Sequence, residues 1–174
     1  SLGLVGSEMC IRDRDVRNVL IASSNAYIYA LDALSGVPKL QRRVAVSDGR
    51  SDIQRLVDID GEPVVAGQFV VTTSYQGQVT VLDLASQQVV WSEDASSIQR
   101  PEVVGNGVFV AQTDGKIKAF EITSGQPLWE NDQLLNRKLS NPVMLGTDLV
   151  VGDLEGVLHL IDPRTGQITG CLLY

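Results

Sequence analysis

Three stretches of this chain lie over one another without a gap: PVVAGQFVVTTSYQGQVTVLDLASQQVVW (63–91), PEVVGNGVFVAQTDGKIKAFEITSGQPLW (101–129) and PVMLGTDLVVGDLEGVLHLIDPRTGQITG (142–170). Pro63, Pro101 and Pro142 open them; Gly67, Gly105 and Gly146 share a column, then Gly77, Gly115 and Gly156, then the acidic Asp83, Glu121 and Asp162. A worn fourth copy, VLIASSNAYIYALDALSGVPKL (19–40), puts Asp32 in the acidic column and Leu40 in the column of Trp91 and Trp129. A unit that recurs every ~40 residues cannot bury its apolar surface alone; stacked neighbours bury it for one another, which restricts the chain to a repeat architecture.

The unit is made of strands. Apolar runs such as FVVTTSY, VFVAQT, LVVGDL and VLIASS each halt at a turn and restart as another strand. The turns YQGQ, TDGK and LEGV put glycine where a tight hairpin needs positive φ. A proline heading each unit fits a strand start, where its missing N–H costs no ladder bond. About four strands per ~40-residue period specify an all-β protein, a β-propeller; a β-solenoid has a shorter period and a β-sandwich has no such repetition. With 44% hydrophobic and 20% charged residues the composition is that of a folded domain. No apolar run approaches the ~20 residues of a spanning helix. The balance of 14 basic against 21 acidic residues, net −7, argues against nucleic acid as a partner.

The two ends match nothing in the repeat. SLGLVGSEMCIRDR (1–14) and CLLY (171–174) read as a non-native leader and tail derived from sequencing adapters, which leaves 15–170 as the propeller portion and places both Cys10 and Cys171 outside it. Cys10 as a lipidated cysteine fits poorly, because neither a charged n-region nor an apolar h-region leads into GSEMC.

The segments ALDALSG, AFEITSG and LIDPRTG, followed in AFEITSGQPLW by tryptophan, resemble the tryptophan-docking repeat of PQQ-like quinoprotein propellers. That resemblance implies that the acidic residue and the glycine shape a turn and that Trp91 and Trp129 pack between neighbouring blades. The WD40 pattern fits poorly, since neither its Gly-His nor its Trp-Asp pair occurs.

Function is sought where the period breaks, because blades are scaffold and connections carry sites. The connection from Leu40 to Pro63 is much longer than those from Trp91 to Pro101 and from Trp129 to Pro142, and it holds the pair in RLVDIDGEPVV, Asp58 and Asp60, with Arg55 nearby. A calcium loop would need further oxygen ligands and a glycine at set spacing, but Glu62 and Pro63 follow. Two carboxylates pointing to one side of an extended segment cannot straddle a glycosidic bond. Solvated turn residues and a docking surface both remain open.

Over 15–170 the chain also resembles the propeller lipoproteins of the outer-membrane β-barrel assembly machinery of Gram-negative bacteria, most specifically in SDIQRLVDIDGEPVV, GQVTVLDLASQQVVW and NDQLLNRKLSNPVMLGTDLVVGDLEG. The resemblance implies an eight-bladed ring of which about four blades are present as an open arc. It implies a non-enzymatic scaffold, held by an N-terminal lipid at the periplasmic face of the outer membrane, with neither cofactor nor metal. Its partner would be the POTRA domains of BamA, bound through residues matching Asp58 and Asp60; unfolded outer-membrane proteins are a further partner class. The lipidated cysteine and an upstream Leu-x-Leu-Arg loop of that family have no counterpart here.

The rival from another class is a quinone-dependent dehydrogenase, which shares the repeat but asks for calcium ligands and often adjacent cysteines. The single histidine, His159, shares its column with Tyr29, Thr80 and Lys118 and is expected at an exposed or half-exposed strand position without catalytic duty. No G-x-S-x-G elbow or glycine-rich phosphate loop leads into a helix. Arg137 in LLNRKLS is read as a second surface contact or as part of a short helical turn over the blade edge.

Overall fold

Proline prepares the first strand of each complete repeat: Pro63, Pro101 and Pro142 are all buried, and strands begin at the residues that follow them. The computed structural model describes residues 11–14, 18–22, 27–43, 62–75 and 77–173, and among these every regular element is a β-strand. The first sheet comprises β1 (Ile11–Arg14), β2 (Asn18–Ala22), β3 (Tyr27–Asp32) and β4 (Pro38–Arg43). The second comprises β5 (Val64–Ala66), β6 (Phe69–Thr73), β7 (Gln78–Asp83) and β8 (Gln88–Asp94). The third has β9 (Glu102–Val104), β10 (Gly107–Ala111), β11 (Ile117–Glu121) and β12 (Pro127–Asn131), and the fourth β13 (Val143–Leu145), β14 (Asp148–Gly152), β15 (Val157–Ile161) and β16 (Ile168–Leu173).

Each sheet is an antiparallel meander, and the first strands of successive sheets touch in the order β1, β5, β9, β13. These are four propeller blades side by side in an arc that does not close, the all-β architecture expected from the repeat. β1 lies within the stretch that the sequence sets apart as a leader, and it pairs with β2 from Ile11 opposite Ala22 to Arg14 opposite Val19.

The core lies between blades. Leu20, Ile28, Ala30 and Leu40 of the first blade meet Val70 and Leu82 of the second. Val71, Val79, Val81 and Trp91 of the second meet Val108, Val110, Phe120 and Ile122 of the third. Phe109, Ala111, Ile117 and Ala119 of the third meet Leu149, Val151 and Ile161 of the fourth. Successive residues point to opposite faces of a strand, so Val70 and Val71 serve different layers. A blade buried on both faces needs apolar residues in continuous runs, which is why FVVTT and GVFVA lack a clean alternation.

Every blade carries the same irregularity. The register slips between Ala30 and Leu31, Val81 and Leu82, Ala119 and Phe120, and Leu160 and Ile161, leaving Lys39, Val90, Leu128 and Thr169 unmatched. The next residue on each outer strand is Leu40, Trp91, Trp129 or Gly170. A bulge at that point bends the strand and re-aims the following side chain, here toward the neighbouring blade: Trp91 Nε1 donates to Ile122 O at 2.7 Å and Trp129 Nε1 to Pro163 O at 2.8 Å. The acidic column closes the adjoining turn: Asp32 Oδ1 accepts from the amides of Leu34 and Ser35, and Asp162 Oδ1 from that of Arg164.

Candidate functional site: the connection face

An antiparallel four-strand blade places its middle hairpin and its link to the next blade at the same end. That end carries the hairpins around Tyr75, Thr113 and Leu154 and the connections 95–101 and 132–142. Hydrogen bonds tie the two sets into a continuous surface. Ser97 N donates to Ser74 O at 3.1 Å and Thr113 N to Ser96 O at 3.0 Å, so the first connection joins the hairpins of the second and third blades. Asn136 N donates to Asp114 O at 2.8 Å and Ser140 N to Gly152 O at 2.9 Å, so the second joins those of the third and fourth.

The second connection is pressed close. Gly115, at φ 94°, lies beneath it: a Cβ there would stand 2.3 Å from Leu134 O and 2.8 Å from Asn136 N. Residues 133–136 form turns rather than helix, and two non-glycine residues around Arg137 take left-handed backbone, Asn136 at φ 65° and Lys138 at φ 50°. Such conformations cost of order 1 kcal/mol or more each and persist only where the surroundings hold them.

What holds them is Asp153. Its carboxylate is fully buried, and each oxygen accepts two hydrogen bonds: Oδ1 from Glu155 N at 2.9 Å and Val157 N at 3.0 Å, Oδ2 from Arg137 at 2.8 Å and His159 Nε2 at 2.9 Å. Arg137 also reaches Glu155 Oε2 at 3.0 Å. An ionised carboxylate only accepts, so His159 carries its proton on Nε2. The bond from His159, followed by those from Arg137 and the two amides, holds the Asp153 carboxyl well below the usual range against the opposing effect of burial. With both oxygens saturated the carboxylate is no free base; it serves as a rivet between connection and hairpin.

One expectation is corrected here. His159 is buried, not exposed, because it turns toward Asp153 across its own hairpin. Arg137, whose side chain is 39% exposed, pairs with Asp153 and Glu155 of its own chain. Asp153 escaped the sequence reading altogether; the available signal was its column, which holds Ser74 and Gln112, small or neutral, in the other blades.

Beside the rivet lies a cleft of about 600 Å³ running across three blades, with Tyr75, Ile98, Thr113, Lys138, Ser140 and Leu154 among its walls. Tyr75, Ile98 and Leu154 are 46, 48 and 75% exposed, which makes the rim apolar. Gln112 contributes to the lining, and its Oε1 is buried without a hydrogen-bond partner among the described residues. Asp58, Asp60 and Arg55 lie outside the described residues; their connection leaves β4 at Arg43 and enters β5 at Val64. Among the described residues no group of three or more His, Cys, Asp and Glu side chains is arranged to hold a metal.

A family profile described as outer membrane protein assembly factor BamB matches residues 7–131 and 94–170. The chain belongs to the BamB family. Curated relatives bearing that name include one from Pseudomonas aeruginosa, 36% identical over 152 residues, which are 87% of this chain and 40% of the relative. Another, from Vibrio cholerae, is 45% identical over 127 residues, 73% of this chain and 33% of the relative. The crystal structure of BamB from Moraxella catarrhalis superposes with a TM-score of 0.85 at 36% identity, covering 93% of this chain and 49% of that one. A computationally designed protein, Ika8, shares the fold at a TM-score of 0.72 and 17% identity. The chain therefore spans less than half the length of these BamB relatives, and its four blades are a part of a larger propeller.

Proposed function

We propose that this chain is part of a non-enzymatic scaffold that acts in outer-membrane protein assembly, at the periplasmic face of the outer membrane, as a lipoprotein in its complete form. The observation that carries the reading is membership of a family whose relatives are named as assembly factors. The finer proposal is that the scaffold docks POTRA domains of BamA through Asp58 and Asp60, with Arg55 beside them. Two features support it. The segment holding the pair is the longest blade-to-blade connection, 44–63 against 95–101 and 132–142. It also joins strands that end and begin on the face where the other connections are stapled into one surface.

The chemistry is charge-assisted hydrogen bonding. Two carboxylates side by side accept from a basic side chain or backbone amides on the partner, each bond contributing roughly 1.5 to 3 kcal/mol. The blades keep the ends of the connection in place, so less freedom is lost on binding. The test is a double variant, Asp58→Ala with Asp60→Ala, in the complete protein, followed by co-purification with BamA. Loss of BamA with an unchanged melting temperature is expected; retention of BamA would overturn the docking proposal.

A further inference from the structure

Among the described residues, the cleft on the connection face has a lining whose chemistry is opposite in sign to that of the proposed acidic contact. We infer that it binds a short extended segment of a partner protein that carries a carboxylate next to apolar side chains.

The chain has a net charge of −7, yet the cation lining this cleft, Lys138, is unbalanced. Lys138 is exposed at its wall and has no carboxylate partner among the described residues. The one carboxylate in the lining, Asp153, is sealed and neutralised by Arg137. A segment entering the cleft therefore meets one uncompensated positive charge, Lys138, and no accessible negative one among the lining residues, which favours an acidic group on the partner.

Backbone strain points the same way. Lys138 holds a left-handed conformation that its side chain disfavours, and the Arg137–Asp153 rivet keeps it there. Strain of this kind tends to gather where a side chain must be presented in a set direction. The apolar half of the recognition is the rim. Tyr75 on the second blade, Ile98 on the connection to the third, and Leu154 on the fourth leave large apolar surfaces in water around one depression. Apolar surface gathered around a concave site marks a contact surface. The cleft volume of about 600 Å³ accommodates a few residues of extended chain rather than the face of a folded domain.

Two-dimensional NMR of the isotope-labelled full chain, titrated with three acetylated and amidated peptides, tests this directly. The probes are Gly-Asp-Leu-Phe-Gly, its charge reversal Gly-Lys-Leu-Phe-Gly, and the apolar-depleted Gly-Asp-Ser-Ser-Gly. The first should give saturable shifts at the amides of Tyr75, Thr113, Ser140 and Leu154, and the other two should bind about tenfold more weakly. Lys138→Glu should invert the preference between the Asp and Lys peptides. Leu154→Ser, at a 75% exposed site where folding is insensitive, should weaken both without changing their order. Equal binding of the acidic and basic peptides, shifts confined to other surfaces, or a preference unmoved by Lys138→Glu would overturn the inference.

Discussion

The indole of Trp91 occupies the space a side chain on Gly125 would need: a Cβ built at Gly125 would stand 2.7 Å from Trp91 Cδ2. Trp129 and Gly166 repeat the relationship one blade on, with a contact of 2.4 Å to Cε3. Both glycines also take positive φ, 74° and 73°. Glycine is therefore required twice over, by the backbone of the turn and by the ring above it. Gly125→Ala should destabilise the chain by about 2 to 4 kcal/mol, the sum of left-handed strain and overpacking. Urea denaturation followed by tryptophan fluorescence measures it, and a loss below roughly 1 kcal/mol would show that the ring moves aside.

The equivalent boundary between the first two blades reverses both halves of the pair. Leu40 stands in the tryptophan column, and the turn position one blade ahead is Gln87, at φ 58°. With no indole above it a Cβ is tolerated, and Arg42 Nε donates to Gln87 O at 2.8 Å. Gln87→Gly should be neutral or stabilise by up to about 1 kcal/mol through relief of the left-handed conformation. Leu40→Trp alone should cost roughly 1 to 3 kcal/mol by overpacking and should cost less when combined with Gln87→Gly. A double-mutant cycle should give a coupling of about 1 kcal/mol or more; additivity would mean that the two positions do not meet.

Asp153 sets an acid limit on the connection face. Its folded carboxyl is held below the ordinary value of 3.8, so the stabilisation it supplies is complete above that pH and is lost as pH falls through and below it. Asp32 behaves in the same direction, through Lys39 first and then the turn donors. Asp153→Asn should make the chain less stable at pH 7, and the gap to the parent should close as pH falls from about 5 toward 2. Denaturant melts of both proteins across that range check it. A gap that stays constant would show that the rivet depends on shape rather than charge.

These relationships divide by what repetition can reveal. Columns of Pro, Gly, acid and Trp are visible because each blade poses the same local problem, and the structure matches Leu40, Trp91, Trp129 and Gly170 at one position beside one bulge. Asp153 and His159 were not legible, because they answer a problem that, among the described connections, only one has: crossing Gly115 with Asn136 and Lys138 in strained backbone. A column of Ser74, Gln112 and Asp153 shows variation, and only the fold shows that Arg137 arrives beside the third. The exposure of Tyr75, Ile98 and Leu154 around one cleft was equally hidden, since each lies in a different segment and their meeting depends on how blades stack.

Docking through Asp58 and Asp60 predicts a particular kinetic signature. Carboxylates that dock a basic partner attract it over a distance of about 10 Å at 0.1 M salt, and that attraction acts on the encounter rate more than on the lifetime of the complex. Association of the complete protein with purified POTRA domains should slow several-fold between ~50 and ~300 mM salt, and Asp58→Asn with Asp60→Asn should remove most of that dependence. The amide variant keeps the shape and much of the hydrogen-bonding capacity of each side chain, so it separates charge from contact. Stopped-flow or surface-binding kinetics at three salt concentrations distinguish the outcomes. If the amide variant associates at the parent rate with the same salt slope, the two aspartates do not steer the partner, and the turn reading of RLVDIDGEPVV takes their place.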